Sequence, residues 1–277
     1  MTQIDIAIED EVRQVEWSLL LKRWQRVGAI ALGWVGFFGL WAIVSRFIVG
    51  PYLLPDPFTV GSQIGEIIQS GAFVGHFQSS ILKVFAGFGL AVLLGTPIGY
   101  GMGRSRYWKA FFHDPVLVAG SIPGTTYAVM ALVIFGISFF GPVLAVAFIS
   151  MPYVAINVAE GIEGVDQKLI QMSRVFRRSE RHILRHVLIP SLMPFAFAGV
   201  RLSFALAWKV EQLTEVFGSS SGVGFMIRKE FEDFSVTGVL AWVLLFIGFM
   251  LLIERFVLVQ LERHLFRWRG YEERMAV

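Results

Sequence analysis

The chain has 277 residues, 55% of them hydrophobic and only 16% charged, and its mean hydropathy is +0.64. A soluble domain of this size carries nearer a quarter charged residues, so the composition excludes a soluble protein and points to an integral membrane one. The net charge of +3 is too small and too localised to indicate nucleic-acid binding, and the lack of cysteine excludes disulfides, thiol catalysis and cysteine metal sites.

In chain order, the first twenty residues open on acidic side chains with no basic n-region, so no cleavable signal peptide is expected. Residues 1–26 are predicted to form a cytoplasmic, interfacial helix. Trp17, Leu20, Leu21 and Trp24 share one face there, and Lys22, Arg23 and Arg26 reach headgroups; the plainer alternative is a solvated tail with a basic anchor. Val27 to Ser45 is uncharged and long enough to span a bilayer, and Arg46 ends it. Residues 47–79 read as a proline-marked loop followed by a polar helix start.

Val84 to Gly103 is the second uncharged run. Gly95, Gly99 and Gly103, four apart, let another helix backbone come close, either within one subunit or between two. Pro115 to Ala159 carries no charge and is too long for one span. Gly136 and Gly141–Pro142 divide it into a hairpin of two helices, the first kinked at Pro123–Gly124. A fifth span runs from about Leu188 to Phe217, a Gly/Ser-rich turn with a polar re-entry covers 217–236, and a sixth runs from Ser235 to Ile253. The expected fold is therefore all-α, with six transmembrane helices over residues 27–262 and a basic cytoplasmic tail over 263–277. Lys and Arg cluster at the N-terminus, in the second-to-third and fourth-to-fifth loops and at the C-terminus, which places both termini inside.

The fourth-to-fifth loop is the most basic internal stretch. Between Gly164 and Pro194, Lys168, Arg174, Arg177, Arg178, Arg181 and Arg185 face only Asp166 and Glu180. Leu169, Met172, Phe176, Ile183 and Val187 keep helical spacing, so two short amphipathic helices are expected, broken near Arg178–Ser179 and closed by Pro190. Such a segment is a topology-setting surface loop or a docking element for a soluble partner.

The fifth span carries the other polar constellation. Arg201, Trp208, Gln212 and Glu215 fall on one helical face, flanked by Lys209 and Glu211 on opposite sides. Lys209 reaches Gln212 but not Glu211. Glu211 and Glu215, one turn apart, are a like-charge pair that resists double ionisation without a cation nearby. Charges at membrane depth face a partner or a cavity, so these groups pin the bundle, line a translocation path, or both. The sequence has no GxxxxGK[ST] phosphate loop and no HExxH, and the His182/His186 pair is expected to be fortuitous.

Taken together, LLPDPFTV, SGAFVGHFQSSILKVFAGFGLAVLLGTPIGYGMGRS, the SIPG turn, VLIPSLMP, GVRLSFALAWK and EVFGSSSGVGFMI form an ordered set from about Leu53 to Leu261. This set resembles the permease subunits of binding-protein-dependent ABC importers, in the nitrate/sulfonate/taurine/thiamine-precursor group. The resemblance implies a non-enzymatic subunit of a bacterial inner-membrane importer for a small polar or anionic solute. Its implied partners are an ABC ATPase dimer holding ATP and Mg, a solute-binding protein, a second permease copy and membrane lipid, and the chain itself binds no cofactor.

The family's loop between spans four and five (about 164–186 here) forms a coupling helix with the pattern EAA, three residues, then Gly. Gln171, Met172 and Ser173 occupy the EAA places and Arg177 the glycine place. The acidic contact and the glycine bend are thus expected to be missing. By the resemblance Met172 and Phe176 plug a groove of the ATPase, Arg174, Arg177 and Arg178 rim it, and Arg201, Lys209, Glu211, Gln212 and Glu215 are path candidates. The competing reading is an ion-gradient-driven secondary transporter using the charges of span five, which would show an inverted repeat.

Overall fold

A computed structural model describes residue 25 and residues 28–265. The interfacial helix expected over 1–26 and most of the tail expected over 263–277 lie outside the described residues. The chain divides into two compact units, residues 1–63 and 64–277.

In the first unit, helix α1 covers Gly28–Val49. It continues past Arg46, which the sequence reading made its end, through a π-helical segment, Val44–Val49, and stops at Gly50 with φ 89°. The chain then turns back on the helix end. The Ser45 hydroxyl donates to Leu54 O at 2.6 Å, and Trp41 Nε1 donates to Pro55 O at 3.1 Å. Helix α2, Pro57–Gln69, begins after an aspartate whose Oδ1 accepts from Phe58 N.

The second unit is built around helix α6, Phe140–Glu163, with α3, Ala72–Arg104, and α9, Ile189–Gly218, packed against it. The glycines of α3 meet α6 within the same chain. A Cβ at Gly95 would lie 2.8 Å from Met151 O and 3.0 Å from Val154 Cβ, and Gly87, Gly99 and Gly103 are equally close to α6. Of the two roles open to this pattern, the structure shows the intrasubunit one. Gly95→Ile should destabilise the fold by about 1–3 kcal/mol through overpacking; an unchanged unfolding midpoint in detergent would contradict this packing.

The uncharged run before α6 holds a broken span. Helix α4, Arg106–Ser121, and helix α5, Gly124–Phe135, meet at 91°. The expected kink at Pro123–Gly124 is thus a full break: Pro123 has no N–H to continue the helix, and Gly124 sits against Val210 and Ile149, where a side chain would not fit. Tyr127 Oη ties the corner by donating to Ala119 O at 2.9 Å. Counting this pair as one span gives six among the described residues, the other five being single helices long and apolar enough to cross a membrane.

Helix α7, Gln167–Val175, is capped by Asp166, whose carboxylate accepts from Lys168 N at 2.8 Å. The short helix α8, Glu180–Ile183, is capped by Ser179. Pro190 does not close it, as the sequence reading expected. A π-helical segment, Leu184–Leu188, carries α8 directly into α9, with Pro190 in the first turn of α9. The widened turn bonds Ile189 N to Leu184 O, and the N–H that Pro190 lacks is absorbed where the ladder has already shifted register. Helices α10, Val223–Glu232, α11, Val236–Ile253, and α12, Val259–Leu265, complete the described residues. The last two are joined by a third π-helical segment.

Candidate functional site

Two places concentrate chemistry. The first is a buried polar knot where the end of α9 meets α3 and α10. Lys83, on α3, is 1% exposed, and Glu211 and Glu215, on α9, are fully buried. The Lys83 ammonium donates to Glu215 Oε1 at 2.6 Å, Ser219 Oγ at 2.9 Å and Ser221 O at 2.6 Å, which uses all three of its protons. Glu215 Oε2 accepts from Ser80 Oγ and from Gly224 N, each at 2.9 Å. The carboxylate thereby sits on the N-terminal turn of α10, where backbone N–H groups and the helix dipole favour an anion. Every strong donor and acceptor of this ion pair is satisfied, the condition under which a buried pair is tolerated.

The 219–222 loop is moulded to the knot. Gly222 takes φ +119°, and a Cβ there would run into the Glu215 carboxylate, so this position needs glycine on both counts. Its N–H donates to His76 Nδ1 at 3.2 Å, and Ser79 and Ser221 share a hydrogen bond of 2.8 Å. Arg228 donates to Ser219 O and Val216 O, covering carbonyls at the end of α9.

The other span-five candidates are placed differently. Arg201 is half-exposed and pairs with Glu254 at 2.7 Å and Glu262 at 3.8 Å, beside a cavity of about 350 Å³ bordered by Ala198, Leu202, Ala205 and Met250. Gln212 is half-buried. Lys209 is exposed and makes no ion pair among the described residues. The structure thus joins Glu215 to Lys83, encloses Glu211 one helical turn from Glu215, and leaves Lys209 apart from them.

The second place is the loop carrying α7. Leu169, Met172, Val175 and Phe176 are all exposed, forming an apolar row on a basic segment, while Ser173 is turned inward with its hydroxyl donating to Leu169 O. Arg174 pairs with Glu180 at 3.4 Å across the bend, and Arg177 and Arg178 have no carboxylate partner among the described residues. The bend expected to be missing is present. Arg177 has φ 53°, the left-handed conformation that normally selects glycine, and Arg177 N and Arg178 N donate to Arg174 O and Ser173 O. His182 and His186 stack at 4.1 Å between ring centroids. No group of three or more His, Asp or Glu among the described residues is arranged to hold a metal ion.

Residues 79–267 match the family model of the binding-protein-dependent transport system inner membrane component. The chain belongs to that family. It is 31% identical over 235 residues to the Bacillus subtilis protein SsuC, named for aliphatic sulfonates transport, with 84% of this chain and 85% of that one covered. It is 24% identical over 235 residues to the taurine transport system permease protein TauC of Escherichia coli, with 83% and 85% covered. In fold it is similar to the MetNI methionine ABC transporter in inward-facing conformations. That likeness has a TM-score of 0.62 at 18% identity and covers 72% of this chain and 98% of that one. The chain is accordingly an ABC-importer permease, a multi-pass inner-membrane transport subunit and not an enzyme, and the ion-gradient reading is set aside.

Proposed function

We propose that this permease imports a small anionic solute, sulfonate-like in chemistry, along a path it forms with a second permease chain. Lys209 carries the proposal: on the membrane-spanning part of α9 it is an exposed charge with no acidic partner among the described residues. A cation at that depth without a partner among the described residues needs one from elsewhere, and a solute anion supplies one. Arg201 and Gln212 border the same path, and Glu211 and Glu215 support α9 from behind. Both termini lie in the cytoplasm. The 164–186 loop docks on a separate ATPase through Met172 and Phe176, with Gln171, Arg177 and Arg178 around them, and a binding protein delivers solute on the opposite side. ATP-driven closure of the ATPases rocks the spans between two states.

Affinity purification of the full chain in mild detergent tests this. The expected result is recovery of an ATPase subunit whose hydrolysis rises when an aliphatic sulfonate and its binding protein are added, and falls at least about tenfold in solute affinity with Lys209→Ala. Recovery of the chain without an ATPase would reject the coupling, and unaltered solute affinity in Lys209→Ala would reject the path.

A further inference from the structure

The knot contains one carboxylate more than its cations balance. Glu211 is fully buried, and neither of its oxygens has a hydrogen-bond donor among the described residues. Its carboxyl stands one helical turn from that of Glu215 on α9, both of them fully buried, an acceptor beside an acceptor. Two such groups bond only when one of them holds a proton.

The surrounding groups leave no other solution. On α3 the near charges are Lys83, whose three protons are already committed, and His76, whose Nδ1 accepts from Gly222 N. On α10, Arg228 is turned to the carbonyls of Val216 and Ser219, and Lys229 carries the remaining positive charge. Helix α11 has no charged residue between Val236 and Ile253. A metal ion would need several oxygen ligands, whereas the neighbouring backbone carbonyls belong to helices and Glu215 already accepts from Lys83, Ser80 and Gly224.

We infer that Glu211 and Glu215 together bind one proton, carried on Glu211 and donated to Glu215, so that the knot is electroneutral as one ammonium, one carboxylate and one carboxylic acid. The assignment goes to Glu211 because Glu215 already accepts from Lys83, Ser80 and Gly224, with one lone pair left for a fourth donor, and Glu211 receives nothing. Glu211 is thereby a positioning residue: its O–H fixes the carboxylate that holds Lys83 and the start of α10.

Infrared spectroscopy of the full chain in detergent, wild type against Glu211→Gln, tests the inference. The wild type at neutral pH should show the carbonyl stretch of a protonated carboxylic acid, shifted in D2O and missing from Glu211→Gln. Glutamine retains an N–H donor to Glu215, so the folded yield of Glu211→Gln should stay within about twofold of wild type. Glu215→Gln, which removes the carboxylate that binds the Lys83 ammonium directly, should lower the folded fraction by about a hundredfold. Lack of the band in the wild type, or its persistence in Glu211→Gln, overturns the assignment. So does a band that appears only when sodium is withdrawn, since that would put a metal ion in the proton's place.

Discussion

Lys83→Met should destabilise the folded chain by on the order of 3–5 kcal/mol, more than any other single substitution in the spans. The methionine fits the volume but strands the Glu215 carboxylate, which is fully buried and would retain the neutral donors Ser80 Oγ, Gly224 N and the inferred Glu211 O–H but no cation. The Ser219 hydroxyl and the Ser221 carbonyl would also lose the ammonium that holds the 219–222 loop. Thermal unfolding of the full chain in detergent, followed by the monodisperse fraction, reads the effect directly. The double variant Lys83→Met/Glu215→Gln should recover most of the loss. The amide carbonyl still accepts from α10, and no uncompensated charge remains, which is why swapping a whole buried pair costs far less than breaking it. A single variant as stable as wild type, or a double variant no better than the single, would show that the pair is incidental to the fold.

Much of this arrangement was legible in the sequence, and the misses have physical causes. The six spans and the short helices of the 164–186 loop follow from charge-free length and helical period, and the structure keeps them. The Glu211/Glu215 pair was legible as needing a cation, but the cation lies 132 residues earlier in the chain, beyond the reach of any local pattern. A signal existed: Lys83 immediately precedes the uncharged run that starts at Val84, and a lysine at that depth requires a carboxylate, which span five offered twice. The fate of Pro190 was not legible, because a π-helical segment is an adjustment of hydrogen-bond register and leaves no mark in hydrophobic period. Lys209 and Glu211 are two residues apart and alike in the sequence, yet one is exposed and one enclosed. That difference is set by which face of α9 packs against α6, α5, α10 and α3.

Arg177→Glu should cut transport-linked ATP hydrolysis by at least about tenfold in the assembled importer, with the permease itself still folded. The backbone at this position is fixed by the turn after α7: φ is 53°, and the N–H groups of Arg177 and Arg178 close the helix end. A non-glycine residue in that conformation costs about 1–2 kcal/mol, so arginine is held there against its own preference. Its side chain is exposed and, unlike Arg174, which spends its charge on Glu180, has no internal partner among the described residues. On the docking proposed above, an exposed charge at a strained position beside the apolar row of Met172 and Phe176 would meet an acidic surface on the ATPase. Arg177→Gly separates bend from charge. It should relax the turn by about 1 kcal/mol, keep the loop geometry and retain hydrolysis at low salt while losing the salt sensitivity that a charge contact confers. Hydrolysis unchanged in Arg177→Glu would remove the contact from the mechanism, and salt sensitivity unchanged in Arg177→Gly would assign it to Arg178 instead.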